Sequence, residues 1–195
     1  MTSLVRELGM NDTVAFHDVY SLDEEELLAF VPRPAYALLL VFPINEAYEK
    51  VRKEEDSNRP EYNGSGPDEE VIWYKQTIGN ACGLIGLLHA ASNGPVTDKL
   101  TPGGPLHKLI QQAIPLKPIE RADLLYESDA LEAAHASAAS LGDTAAPPVE
   151  DSIETHYVCF VKSKEGNLWE LDGRRTGPLN RGMLLRCSCF FFLLY

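Results

Sequence analysis

The sequence has no apolar run long enough to cross a bilayer as a helix, which needs about 20 consecutive apolar residues. The segment from Met183 to Tyr195 comes closest, but it is short and contains Arg186. Met1 is not followed by the charged and apolar regions that make up a secretory signal. We therefore expect a cytoplasmic protein that is not attached to a membrane.

Basic side chains are also scarce, because 17 lysines and arginines stand against 29 aspartates and glutamates, for a formal net charge of −12. A nucleic acid is a polyanion that binds basic surfaces, so we do not expect it as a general partner. The acidic surface would instead attract a basic protein partner. The alternative interpretation is that the acidic net charge serves only to keep the protein in solution.

Cysteine is rare as well, with four residues, Cys82, Cys159, Cys187 and Cys189. Without an export signal the thiols are expected to stay reduced. The closely spaced pair Cys187 and Cys189 lacks the two further ligands that a structural zinc site requires. We therefore predict no metal site in this chain.

The chain contains no internal repeat, and its 195 residues suit one domain with a sizeable core. Hydrophobic spacing, with proline, glycine and capping residues, divides it into helices, strands and loops. The predicted elements are a helix that Ser21 begins and Pro32 ends, a strand over residues 36–42 buried on both faces, a helix over 45–55, a loop over 56–70, a helix that Asn80 caps and that runs to Ala91, helices near 106–113 and within 118–140, a loop over 141–152, and a hairpin of 156–161 with 167–172.

Cys82 lies in the first turn of the predicted central helix, where Asn80 is the expected N-cap. The partial positive charge of a helix N-terminus favours a thiolate over a thiol. Gly83 and Gly86 leave the neighbouring surface open to close approach. Taken alone, however, Cys82 fits a buried structural cysteine better, because cysteine is among the most buried residue types.

His156 begins one strand of the predicted hairpin, and Asp172 ends the other. If the turn centres on Lys164, antiparallel pairing places the two residues directly opposite each other, with Cβ atoms about 4.5–5.5 Å apart. A carboxylate in that position can orient an imidazole for nucleophilic catalysis. A surface ion pair at the end of a sheet is the alternative, and a register slip of one residue would separate the two side chains.

Gln76 precedes Cys82 by six residues. A side-chain amide just before the helix of a nucleophile can donate a hydrogen bond to a developing oxyanion. A solvated loop residue is the simpler interpretation of this glutamine by itself. Together the candidates form a Cys-His-Asp set in the chain order Gln76, Cys82, His156, Asp172.

Four segments of the chain carry longer motifs around these candidates. They are Gln76-Thr-Ile-Gly-Asn-Ala-Cys82-Gly-Leu-Ile-Gly-Leu-Leu-His89-Ala, His156-Tyr-Val-Cys-Phe-Val, Leu168-Trp-Glu-Leu-Asp172-Gly-Arg174, and Val31-Pro-Arg-Pro34 followed by Leu38-Leu-Leu-Val-Phe-Pro43. These motifs closely resemble those of the ubiquitin C-terminal hydrolases, a family of cysteine proteases. The resemblance extends over nearly the whole chain, from about Leu4 to Gly182.

The resemblance implies a role for each candidate: Cys82 as the nucleophile, His156 as the general base and acid, Asp172 as its orienting partner, and Gln76 in the oxyanion hole. It implies a papain-like, knotted α/β (α+β) fold with a central antiparallel sheet between helices. The implied substrate is ubiquitin, and possible partners include a ubiquitin-like modifier, with a small or unstructured group on the C-terminal glycine. Residues 141–152 correspond to the loop that crosses the active site. We expect a monomer without metal or organic cofactor.

Both ends of the chain depart from the family pattern. The catalytic domain is expected over residues 4–182, without the first and last strands of the family, and residues 183–195 form a hydrophobic tail that matches nothing in it. The prediction is a working deubiquitinase. The alternatives are a ubiquitin-binding protein impaired in catalysis by an incomplete scaffold, and another Cys-His-Asp enzyme such as a transglutaminase-like protein or an acyltransferase.

Overall fold

One strand lies among the helices, and three strands follow the last helix, in the part of the protein that the computed structural model describes, residues 1–140 and 155–184. In chain order they are α1 (Thr2–Glu7), α2 (Glu25–Leu28), β1 (Ala37–Pro43), α3 (Glu46–Ser57), α4 (Cys82–Ser92), a 3₁₀ helix (Gly94–Lys99), α5 (Pro105–Ala113), α6 (Pro118–Tyr126), α7 (Asp129–Ser140), β2 (Thr155–Lys162), β3 (Asn167–Leu171) and β4 (Leu179–Met183).

The four strands form one antiparallel sheet in the order β1-β2-β3-β4. β2 and β3 are the two arms of the predicted hairpin, and the amide of Ser163 donates to the carbonyl of Asn167 across the turn at 2.9 Å. Gly166 in this turn has a φ of 92°, a left-handed conformation that glycine adopts without the steric cost of a Cβ atom. The mixed α and β architecture agrees with the predicted fold class.

α4 packs against β1 and β2 and is buried along most of its length. A Cβ atom on Gly86 would lie 3.3 Å from Leu39 of β1 and 3.5 Å from Tyr157 of β2. The absence of a side chain on Gly86 thus helps the helix to approach the sheet closely. The prediction of an apolar, central helix is confirmed, and the close packing fixes the N-terminus of α4 relative to β2.

The apolar core has two parts that meet at α4. The larger part contains Leu87 and Leu88 together with the buried faces of α1 and α5, and the smaller part contains Trp73, Cys159 and Leu171. These five side chains are completely buried. The central helix and the β2–β3 hairpin, which carry the candidate residues, therefore contribute to the buried core of the described residues.

Two expectations about the N-terminal third are wrong. β1 is not buried on both faces, because Leu40 and Val41 are 46% and 47% exposed, and within the described residues β1 pairs with β2 alone. The helix expected from Ser21 is reduced to the single turn of α2. The Ser21 hydroxyl accepts hydrogen bonds from the backbone amides of Asp23 and Glu24. This local turn competes with helix formation.

Two further boundaries differ from expectation. α4 begins at Cys82 with Ala81 as N-cap, because Asn80 adopts the left-handed conformation at φ 61°. The helical region over 118–140 is broken after Tyr126 into α6 and α7. The loop expected over 141–152 and the tail beyond Leu184 lie outside the described residues.

Candidate active site

Cys82 is the first residue of α4, and its side chain is almost fully buried. Burial by itself would raise the pKa of the thiol. A hydrogen bond with the His156 side chain, assisted by the backbone amides of Tyr157 and Gly83, more than offsets this effect and lowers the pKa of Cys82 below its ordinary value. Cys82 therefore has the environment of a reactive thiolate.

His156 and Asp172 are in contact, with Nε2 of the imidazole 2.8 Å from Oδ1 of the carboxylate. The predicted pairing of these two residues directly opposite each other is wrong, because Cys159 pairs with Leu171 and the hairpin centres one residue beyond Lys164. With this register, the position directly opposite His156 lies two residues beyond Asp172. Since side chains alternate with a period of two, both groups remain on the same face and meet diagonally.

The Asp172 carboxylate is fully buried, and both of its oxygens accept hydrogen bonds. Oδ1 accepts a second hydrogen bond from the backbone amide of Arg174 at 2.9 Å, and Oδ2 accepts one from the Tyr48 hydroxyl at 2.9 Å. The Asp172 carbonyl accepts from Nε1 of Trp73 at 3.1 Å. Burial would raise the pKa of Asp172, but the bond to His156 and these further donors hold it below its usual range.

His156 is charged more readily than an ordinary histidine. Burial would lower its pKa, but the hydrogen bonds and charges of Asp172 and Cys82 raise the pKa of His156 to about 9. A lowered thiol pKa beside a raised imidazole pKa favours a thiolate–imidazolium pair near neutral pH. The three side chains thus form a connected set: a thiol of lowered pKa, an imidazole of raised pKa and a buried carboxylate.

The profile of ubiquitin carboxyl-terminal hydrolase family 1 matches residues 1–189 of the chain. The chain belongs to this family. Among its relatives, ubiquitin carboxyl-terminal hydrolase 3 of Arabidopsis thaliana is 40% identical over 171 residues, which is 88% of this chain and 70% of the relative. Isozyme L1 of Rattus norvegicus is 37% identical over 182 residues, which is 93% of this chain and 78% of the relative. The family predicted from the sequence is confirmed.

The fold is also that of a ubiquitin carboxyl-terminal hydrolase. The catalytic domain of Trichinella spiralis UCH37, solved bound to ubiquitin vinyl methyl ester, superposes with a TM-score of 0.67 at 21% sequence identity. The match covers 94% of this chain and 74% of the Trichinella domain. The predicted fold of the family is therefore confirmed, as a helix-flanked antiparallel sheet.

Gln76 lies beside the segment that carries Asp172. Its backbone amide donates to the carbonyl of Gly173, the residue after Asp172, at 2.8 Å. A Cβ atom on Gly173 would lie 2.9 Å from Cβ of Gln76, so a glycine is needed for the two segments to approach. The Gln76 side-chain amide donates to the carbonyl of Ile78 at 3.0 Å, and its Oε1 is buried without a described partner.

Tyr48 is the site residue that the sequence reasoning missed. It lies in the first turn of α3, where the side chain of Asn45 caps its amide at 2.9 Å. The sequence predicted this helix, but 124 residues separate Tyr48 from Asp172. Local spacing contains no signal for a contact between elements so far apart in the chain.

The environment separates Cys82 from the other described cysteine. Cys159 is completely buried in β2, and burial raises the pKa of its thiol, so it is unreactive. Over residues 1–140 and 155–184 no group of three or more histidine, cysteine or acidic side chains is placed to hold a metal ion. In the same ranges, every helix is too short or too polar to span a bilayer.

Proposed function

We propose that this family member cleaves small adducts or short peptides from the C-terminal glycine of ubiquitin, with Cys82, His156 and Asp172 as its catalytic triad. The contact between Nε2 of His156 and Oδ1 of Asp172 carries the proposal, because it aims the other ring nitrogen at the thiol. The names of the Arabidopsis and rat relatives, both ubiquitin carboxyl-terminal hydrolases, support the choice of substrate.

In the first half of the reaction, the Cys82 thiolate attacks the carbonyl carbon of the ubiquitin glycine and forms a tetrahedral oxyanion. Nε2 of His156 is bonded to Asp172, so Nδ1 is the nitrogen that serves the sulfur. Nδ1–H gives its proton to the leaving amine as the C–N bond breaks. The product is a thioester between ubiquitin and Cys82, with His156 left neutral.

In the second half, water attacks the thioester carbonyl while Nδ1 of His156 takes a proton from it. The C–S bond then breaks, and the thiolate–imidazolium pair is restored as the ubiquitin carboxylate leaves. Asp172 remains ionised throughout, because its role is to orient the ring and stabilise the imidazolium. Water thus adds across the bond, and no other reactant is needed.

Gln76 is the proposed side-chain donor of the oxyanion hole. Its backbone is fixed against Gly173, next to the triad, which supports this role. Its Nε2 must leave the Ile78 carbonyl and turn toward the substrate oxygen. Removing one oxyanion donor typically costs about 10²–10³-fold in kcat, so we expect Gln76→Ala to reduce kcat far more than it changes KM.

Covalent labelling with ubiquitin that carries a C-terminal vinyl methyl ester tests the proposal. We expect the wild-type protein to form a ubiquitin adduct at Cys82, and Cys82→Ser to bind ubiquitin without reacting. Cys159→Ser is the matched control, because it removes the unreactive thiol of β2 and should leave labelling unchanged. Equal turnover by wild type and Cys82→Ser would contradict the proposal. Tight binding without labelling by the wild type would indicate the catalytically impaired ubiquitin-binding alternative.

The setting of the reaction is proposed on the same basis. We expect a monomer that acts on ubiquitin, or on a ubiquitin-like modifier, in the cytoplasm. Size-exclusion chromatography with light scattering, and imaging of the tagged protein in cells, measure the two properties.

A further inference from the structure

We propose that Tyr48 is a positioning residue of the active site, which fixes the Asp172 carboxylate against His156 through the hydroxyl that it presents from α3. The proposal rests on the proposed roles of His156 and Asp172. It adds α3 to the elements on which the reaction depends, besides α4 and the β2–β3 hairpin.

The two oxygens of Asp172 have different partners. Oδ1 accepts from His156 and from the Arg174 amide, at 2.8 and 2.9 Å. Among the described residues, Oδ2 accepts a single hydrogen bond, from the Tyr48 hydroxyl at 2.9 Å. A buried carboxylate oxygen without a donor is costly, so loss of this hydroxyl would allow the carboxylate to rotate in search of another partner. Rotation would move Oδ1 away from the imidazole.

The Tyr48 ring is itself held in place. Phe42 contacts it edge-on, with ring centroids 4.7 Å apart at 70°, and Phe42 also pairs with His156 across β1 and β2. Asn45 caps the amide of Tyr48 at the start of α3. Burial and the neighbouring Asp172 raise the pKa of the Tyr48 phenol above its ordinary value, so the hydroxyl stays protonated and donates throughout the working pH range. A donor fixed in this way can determine the orientation of its acceptor.

The removal of the hydroxyl should weaken the thiolate–imidazolium pair. In Tyr48→Phe the ring and its contact with Phe42 remain, while Oδ2 of Asp172 loses its donor. We expect His156 to hold its proton less tightly and the Cys82 thiolate to form at higher pH. We also expect kcat to fall about tenfold with KM nearly unchanged. General acid–base catalysis typically contributes about 10²–10⁴-fold to the rate, and this loss would be a part of that contribution.

Alkylation of Cys82 by iodoacetamide between pH 4 and 10, quantified on the Cys82 peptide by mass spectrometry, tests the proposal without ubiquitin. The acid limb of the wild-type profile reports formation of the thiolate, and we expect Tyr48→Phe to move it to higher pH. The low-field NMR signal of the His156 Nε2 proton should shift or broaden in the same variant. Because the reagent is small, the test remains valid even if ubiquitin is not the substrate.

Tyr62→Phe is the matched control. Its hydroxyl also donates to a carboxylate, Oε1 of Glu69 at 2.6 Å, and its ring packs edge-on against Trp73 at 6.1 Å. Tyr62→Phe should lower the melting temperature but leave the alkylation profile and the histidine signal unchanged. An unchanged profile in folded Tyr48→Phe, or equal shifts in the two variants, would show that the Tyr48 hydroxyl is only structural and would overturn the proposal. A second variant covers the case in which Tyr48→Phe does not fold. Replacing Tyr48 with 3-fluorotyrosine keeps the hydroxyl and makes it a stronger donor, so the histidine signal should shift. An unshifted histidine signal would overturn the proposal.

Discussion

Cys82 and His156 titrate as a coupled pair, because each charge stabilises the other inside a mostly buried site. Asp172 adds a fixed negative charge behind the imidazole, and Tyr48 and Arg174 donate to that carboxylate. In the proposed mechanism, the proton for the leaving amine is therefore already on the imidazole when the thiolate has formed. At the scale of single residues, the chemistry depends on hydrogen bonds that only a few side chains provide.

The pH dependence of kcat/KM follows from the lowered pKa of Cys82 and the raised pKa of His156. Because the pKa of the Cys82 thiol is lowered, the active pair forms as the pH rises through that lowered value. Because the pKa of His156 is raised to about 9, the pair is lost as the pH rises through about 9. We expect a bell-shaped profile, measured with a fluorogenic ubiquitin amide, whose alkaline limb lies near pH 9 and whose acid limb lies below the ordinary pKa of a thiol. A profile that falls from pH 7 to 8 would contradict a raised pKa of His156.

Substitutions of the acid–base residues should reduce turnover without preventing ubiquitin binding. His156→Ala removes the proton carrier, so kcat should fall by about 10²–10⁴-fold. Asp172→Asn keeps the shape but removes the charge, and kcat should fall as well. Initial rates on a ubiquitin C-terminal amide, together with binding isotherms, provide the measurement. His135→Ala, on the exposed face of α7, is the matched control and should be as active as the wild type.

The helices around the site are joined by a buried ion pair. Arg121 of α6 is fully buried, is paired with Glu69, and donates to the carbonyls of Ala113 at 2.9 Å and Trp73 at 3.3 Å. One guanidinium thus connects α6, the end of α5 and the segment that leads to Gln76. At the scale of elements, this pair holds the segment before the nucleophile in position.

Removal of this guanidinium should destabilise the fold strongly. Arg121→Met leaves Glu69 buried without its charged partner, and breaking such a pair typically costs about 3–5 kcal/mol of unfolding free energy. Urea denaturation measures the loss. The matched control is Lys50→Met, which removes a solvent-exposed partner of Glu54 at 3.9 Å and should change stability by less than about 1 kcal/mol. Similar losses in both variants would contradict a special role for the buried pair.

The sheet has an apolar edge at the scale of the whole molecule. Within residues 1–140 and 155–184, β1 pairs on one side only, and its Leu40 and Val41 are about half exposed. A cavity of about 740 Å³ lies along this strand, and Phe16 and Val31 also line it. An open, apolar strand edge offers unpaired backbone groups to other chains, which favours association.

A charge on this edge should therefore improve solubility. We expect Leu40→Lys to raise the concentration at which the protein remains monomeric, as measured by light scattering, with little change in melting temperature. Phe30→Lys is the control, because Phe30 is more exposed but lies outside the sheet, so its substitution should change association less. A large fall in the melting temperature of Leu40→Lys would mean that this side chain is covered in solution.

Local sequence determined much of this protein. The apolar segment after Cys82 forms a helix because nothing interrupts its spacing until Asn93-Gly94-Pro95, and the turn chemistry near Gly166 forms the hairpin that carries His156. The motifs that identify the family are contiguous stretches, so they can be found without a structure. They were enough to predict the fold class and the contact between His156 and Asp172.

Tertiary structure alone decided the rest. The hairpin register depends on the hydrogen bonds of the turn, which placed His156 diagonally from Asp172 instead of directly opposite. The burial of β1 depends on which other segments cover it, and its own apolar residues do not reveal this. Tyr48 reaches Asp172 because α3 folds back beside the hairpin, across 124 residues of chain. Spacing in a sequence determines which side chains share a face of one element, but only the packing of elements brings side chains from two of them together.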